Sequence, residues 1–266
     1  MNVRGIMFDL DGVLWRSSKL LPGARETIVE LKARGYSVAY VSNNSMLGLR
    51  AMQEKFAKMG IPLEDGELCL ATQVLAETIA KKLNRATVFM IGSKGFREDL
   101  ERCGLRVLLE PEEIDYLTDY VVVGADWEIN YQKLTRALRC LKQGAKLAAP
   151  NADLYFPHED GLVPGNGAVL AAVAAMAKRP PDLLVGKPQP NLLISAMERM
   201  GCTPDQCLMV GDSLDTDVGA AYAAGVRSVL VLSGTTTTRD VERAEKKPWR
   251  VINGVADLIT LLEQGE

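Results

Sequence analysis

Short apolar runs recur along the chain at residues 3–8, 37–42, 183–186, 207–211, 228–232 and 249–252. They are continuous rather than alternating, the pattern of strands buried on both faces of a parallel sheet. Stretches with helical period lie between them, at residues 24–34, 46–59, 190–200 and 214–224. Strand and helix alternating in this way predict βαβ units in a doubly wound α/β sheet. Ligands of such sheets bind outside the carboxyl ends of the strands. The polar residues that directly follow each apolar run are therefore where chemistry is expected.

Residues 82–180 repeat the same grammar as a separate unit. Segments 87–91, 106–109, 120–123 and 146–149 read as strands, with helices over 94–103 and 131–142. An Ala-rich helix over 167–178 leads to Arg179-Pro180-Pro181, which is stiff enough to mark a boundary. The expected organisation is a core domain in two parts, 1–81 and 181–266, with an α/β domain, 82–180, inserted between them. A chain of 266 residues suits two domains.

The first run ends Phe8-Asp9-Leu10-Asp11-Gly12. Side chains two apart on a strand share a face, so Asp9 and Asp11 converge if the strand continues or breaks at Gly12. Two carboxylates losing solvation together repel each other, and a bound cation turns that repulsion into ligation. Asp11-Gly12 by itself also suits an exposed turn; a terminal acid on a buried strand, Asp9, has no such structural use.

Three later run ends carry complementary groups. After Ser42 come Asn43, Asn44 and Ser45 with a helix expected next, so a hydroxyl and helix-start amides form an anion cradle; Ser42, Asn44 or Ser45 would equally serve as a plain helix cap. Lys187 precedes Pro188 and places an ammonium where carboxylates and a phosphate would need one, although a lone lysine commonly lies along the surface. Asp212 follows its strand as Asp9 does. Asp215 and Asp217 have helix capping as a sufficient local reason; Asp212 does not.

The coincidence of acids, hydroxyl and lysine at four strand ends is what Mg²⁺-assisted phosphoryl transfer uses. Asp9-Leu10-Asp11-Gly12, Ser42, Lys187 and the segment from Gly211-Asp212 to Asp217 resemble, in order, the four motifs of the haloacid dehalogenase (HAD) superfamily of phosphatases. The insert between Ser42 and Lys187 is similar to the α/β cap of the 4-nitrophenyl phosphatase, pyridoxal phosphatase and NagD-like branch, as are Ser42-Asn43-Asn44-Ser45, Pro164-Gly165-Asn166-Gly167-Ala168 and Gly186-Lys187-Pro188. The resemblance implies a Rossmann-like core with an inserted cap that closes over the site, and a homodimer formed through the cap. It makes Asp9 the nucleophile and Asp11 the acid–base. Mg²⁺ would be held by the Asp9 carboxylate, the Asp11 carbonyl and the Asp212 carboxylate, with Asp217 orienting from behind. Ser42 and the Asn43 amide would hold the phosphoryl oxygens and Lys187 would neutralise charge.

In the cap, Asn151, Asp153, Tyr155, Gly165 and the segment Phe156-Pro157-His158-Glu159-Asp160 are candidates for substrate contact, each equally readable as a turn or helix start. His158, the single histidine, reads as a surface residue. Asp126 and Trp127 would line the cap with no assigned chemistry, and the threonines Thr235, Thr236, Thr237 and Thr238 read as a capped loop.

Composition narrows the alternatives. The net charge of -3 with scattered basic residues gives no nucleic-acid footprint. Five cysteines without a C-x-x-C pair, and with one histidine, argue against structural zinc and for reduced thiols in a cytoplasm. No leader and no apolar run of about 20 residues suggests a membrane. A phosphomutase on the same scaffold and a non-enzymatic phosphorelay receiver are the rival readings; the large insert and an acid two residues after Asp9 weigh against the receiver. The substrate expected is a small phosphorylated metabolite, such as a nucleotide or sugar phosphate.

Overall fold

In the computed structural model, which describes residues 2–108, 117–158 and 161–264, the chain forms two compact units. The first comprises Met1–Ser42, Gln53–Cys69 and Lys187–Glu266; the second comprises Asn43–Met52 and Leu70–Gly186.

A six-stranded sheet organises the first unit, in the spatial order Arg250–Ile252, Arg227–Val231, Cys207–Gly211, Gly5–Phe8, Ser37–Ser42 and Leu68–Leu70. Gly5–Phe8 pairs in parallel with Cys207–Gly211 on one side and Ser37–Ser42 on the other. Strands added early in the chain thus spread one way from Gly5–Phe8 and late ones the other, which makes the gap between Gly5–Phe8 and Cys207–Gly211 a topological switch point where α/β sheets bind ligands. Both strands are wholly buried. An aromatic group packs beneath the sheet: Phe56 stands edge-on to Tyr40 at 4.7 Å and to Trp15 at 5.1 Å.

The second unit has its own five-stranded sheet, ordered Leu183–Leu184, Lys146–Ala149, Tyr120–Val123, Thr87–Ile91 and Arg106–Leu108, again with parallel pairings. Phe89, Val121, Val123, Leu147 and Val173 lie in its buried core. A hairpin, Tyr155–His158 with Gly161–Pro164, adds a small separate sheet. No helix among the described residues is long and apolar enough to cross a membrane.

The sequence-based boundaries at 81/82 and 180/181 fall inside the second unit. The helix Ala71–Lys82 belongs there because it packs on Lys94–Arg102, with the Thr72 hydroxyl donating to Asp99 at 2.7 Å. The run at 183–186 is a further correction. It is not a core strand: Leu183 and Leu184 pair with Ala148 and Ala149. Asp182 decides this, since its amide donates to the Leu147 carbonyl and its carboxylate accepts from the Leu147 amide, both at 2.7 Å. An apolar pair is too short to specify its sheet; the flanking polar bonds do so.

Candidate active site

The Gly5–Phe8 strand delivers Asp9 to the switch point, and the chain then turns sharply. Gly12 has φ +86°, and a Cβ there would stand 2.7 Å from Asp212 Oδ2. A side chain at this position would therefore be both strained and obstructive.

Lys187 is the hub. Its Nζ donates to Asp9 Oδ1 at 2.5 Å, to Asp217 Oδ1 at 2.8 Å and to the Val41 carbonyl at 3.1 Å, which accounts for its three protons. Only 3% of Lys187 is exposed. Burial works against its charge, but the carboxylates of Asp217 and Asp9 outweigh that and raise its pKa. Lys187 arrives by a different route from the one expected: it follows the second unit's edge strand, so three strand ends of the core sheet and one loop supply the motifs.

Asp212 and Asp217 follow the Cys207–Gly211 strand. Residues Leu214–Val218 form one turn of π-helix before the helix Gly219–Ala224, in place of the single α-helix expected over 214–224. That turn swings Asp217 back so that its Oδ2 accepts from the amides of Asp212 at 3.0 Å and Ser213 at 3.1 Å. Both oxygens of Asp217 are thereby engaged by protein donors. Asp212 Oδ2 accepts from the Thr235 amide at 2.7 Å and the Thr235 hydroxyl at 3.0 Å.

One carboxylate oxygen each from Asp9, Asp212 and Asp217 lies within 4.8 Å of the others. Burial raises the pKa of Asp9 well above the usual carboxylate range against the pull of Lys187. Burial and then the Asp217 charge raise Asp212. Three carboxylates facing one ammonium leave surplus negative charge, and an all-oxygen donor set suits a hard divalent cation such as Mg²⁺. With both Asp217 oxygens committed, Asp9 and Asp212 are the carboxylates suited to ligation and Asp217 to holding their surroundings.

Asp11 has an exposed side chain, yet protein crowds its other sides. The lost hydration raises its carboxyl from the ordinary value, and the Lys55 ammonium opposes this. Lys55 itself lies over the Trp15 ring, 4.5 Å from the centroid. Ser42 ends the strand beside Gly5–Phe8 and is buried.

Asn43 begins the second unit. No helix starts directly after Ser45, contrary to expectation: Asn44 Oδ1 closes a turn by accepting from Met46 and Leu47, the helix opens at Leu49, and the Leu49 amide donates to Asp99. The helix-start cradle is therefore absent at 42–45. Asn151, a substrate-contact candidate, is 3% exposed with its amide committed to the Asn43 carbonyl. Asp153 accepts from the Asn43 side-chain amide. Gly165 caps the helix Asn166–Ala177. Tyr155 is 62% exposed at the start of the hairpin. Asp126 is structural, accepting from the Glu128 amide at 2.8 Å and Lys133 at 2.7 Å. The His158 side chain and residues Glu159 and Asp160 lie outside the described residues.

Thr235 is the site residue that the residue pattern did not single out. Thr237 caps Thr238–Arg243 as a capped loop requires, but Thr235 serves Asp212. Gly234 is the available signal: a Cβ there would collide with the Asp212 carboxylate.

This switch-point cluster of acids around a buried lysine defines a hydrolase class. The family model for haloacid dehalogenase-like hydrolases matches residues 6–106, and a HAD-hydrolase-like model matches 184–258. The p-nitrophenyl phosphatase from Archaeoglobus fulgidus is 35% identical, with TM-score 0.90 over 97% of this chain and 99% of that one. The 4-nitrophenylphosphatase from Thermotoga maritima is 33% identical, with TM-score 0.90 over 97% of each chain. The acid sugar phosphatase of Staphylococcus aureus is 31% identical over 98% of both chains. The chain belongs to the haloacid dehalogenase-like hydrolases. Within them it groups with the nitrophenyl phosphatase and NagD-like branch, whose Rossmann-like core and inserted cap match its two units.

Proposed function

We propose that this protein is a Mg²⁺-dependent phosphomonoesterase acting on a small phosphorylated metabolite in the cytoplasm through an aspartyl-phosphate. The observation that carries the reading is Lys187 bonded at once to Asp9 and Asp217, beside Asp212. The names of the relatives, nitrophenyl and acid sugar phosphatases, support it.

An Asp9 oxygen attacks phosphorus as the ester P–O bond breaks, and Asp11 gives its proton to the departing oxygen. Asp11, now a carboxylate, takes a proton from water; that water displaces Asp9 from phosphorus, and inorganic phosphate leaves. Lys187 offsets charge on Asp9 and the phosphoryl group, while the Ser42 hydroxyl and the Asn43 backbone N–H hold phosphoryl oxygens. Asp9 and Asp212, with the Asp11 carbonyl, would hold Mg²⁺. The ion would supply electrostatic stabilisation of the developing charge. Thr235 and Asp217 keep Asp212 and Lys187 in place.

The test is release of inorganic phosphate from a panel of sugar phosphates, nucleoside monophosphates, pyridoxal phosphate, phosphoglycolate and 4-nitrophenyl phosphate, ranked by kcat/KM. Release with Mg²⁺ that stops on chelation is expected. Phosphoryl return to the substrate without free phosphate would instead identify a mutase, and an aspartyl-phosphate lasting minutes a receiver.

A further inference from the structure

Residues 150–153 of the second unit grip two places in the chain that are far apart in sequence. The Asn151 side-chain amide donates to the Asn43 backbone carbonyl at 2.5 Å, and the Asn43 side-chain amide donates to both Asp153 oxygens at 3.2 Å. The Gly186 N–H donates to the Pro150 carbonyl at 2.6 Å. A Cβ on Gly186 would stand 2.8 Å from Asn43 Oδ1 and 2.9 Å from the Asn151 Cβ. Only glycine lets the three segments close this tightly.

The grip is itself braced. The Asn166 amide donates to the Asn151 carbonyl at 2.6 Å, the Asp153 N–H to Asn151 Oδ1 at 3.1 Å, and the Gly167 N–H to the Asp153 carbonyl at 2.8 Å. Asn151 and Asn166 are both buried. Buried, connected hydrogen bonds of this kind are strongly directional.

All these residues lie inside the second unit, yet their chain neighbours do not. Ser42 precedes Asn43 and Lys187 follows Gly186, and both belong to the first unit. Ser42 and Lys187 are therefore each one peptide bond from a gripped residue, and Asn43 is itself gripped.

We infer that Asp153 and Asn151 are positioning residues, setting the backbone at Asn43 and Gly186 so that the phosphate-holding groups at residues 42 and 43 and the Lys187 ammonium are presented in register. The inference rests on the phosphatase reading and deepens it. A phosphate-holding group set out of register binds substrate and inorganic phosphate less tightly, and the loss of one hydrogen bond is enough to weaken such binding by about tenfold.

Asp153→Ala and Asp153→Asn test it, with 4-nitrophenyl phosphate as substrate and inorganic phosphate as competitive inhibitor. Asp153→Ala raises KM and the phosphate inhibition constant each by about tenfold, while the melting temperature stays close to that of the unmodified chain. Asp153→Asn recovers both constants, because an amide oxygen still accepts from Asn43. If Asp153→Ala does not fold, Asp153→Ser, which cannot reach Asn43, is measured in its place. Constants within twofold of the unmodified protein overturn the inference, as does a loss confined to kcat or an Asp153→Asn as impaired as the truncation. An unmodified protein with no Mg²⁺-dependent hydrolysis overturns the phosphatase reading instead.

Discussion

Asp9→Asn changes one oxygen and almost no volume, so it separates chemistry from packing at this position. Lys187 keeps Asp217 and the Val41 carbonyl as partners, and the cluster loses one of its repelling charges. The variant is expected to fold with an unchanged circular dichroism spectrum and to lose roughly four orders of magnitude or more in kcat, as loss of a nucleophile does. Near-native turnover would remove Asp9 from the reaction. Single residues also differ in how far the sequence exposes them. Asp9 and Asp212 were legible because an acid directly after a buried apolar run has no packing use. Thr235 was not, because its role depends on Arg227–Val231 lying beside Cys207–Gly211, a pairing between segments whose order along the chain does not specify it.

At the scale of elements, the two-residue strand Leu183–Leu184 shows how polar flanks decide where an apolar run goes. Asp182 holds it to Lys146–Ala149 through Leu147. Slight burial works against the Asp182 charge, but the Leu147 amide and Arg179 outweigh it and depress the pKa. An acid with a depressed folded pKa contributes above its unfolded pKa, about 3.9, and loses that contribution as pH falls through the folded value. Asp182→Ala is therefore expected to cost about 1 kcal/mol at neutral pH, to speed exchange of the Leu147 amide hydrogen, and to converge with the unmodified protein in acid. A variant whose Leu147 amide exchanges at the unmodified rate at pH 7 would show that the strand holds without it. The run at 183–186 carried an apolar signal and nothing that named its sheet, so the sequence placed it with the core; the helix Ala71–Lys82 was assigned to the core for the same want of local information.

For the molecule as a whole, the acidic group Asp9, Asp212 and Asp217 is an unfavourable gathering of charge that a divalent ion would relieve. Binding to the folded state alone stabilises it by about 2.7 kcal/mol when the ligand is at a hundred times its Kd, so saturating Mg²⁺ should raise the melting temperature by roughly 5 °C. Chelation should reverse the rise, and Asp212→Asn should abolish it. A melting temperature indifferent to Mg²⁺ in the unmodified protein would count against ligation by these carboxylates. From the sequence alone came the alternation of buried strands and helices, the existence of an inserted α/β unit, and the acids and lysine that the fold gathers at the switch point, since burial period and unexplained polar residues are local properties of a chain. Which sheet each strand joins, where one unit yields to the other, and that Thr235 serves Asp212 while Asn151 and Asp153 hold Asn43 were decided by tertiary structure, because hydrogen-bond partners are chosen by proximity in space and chain order leaves that proximity open.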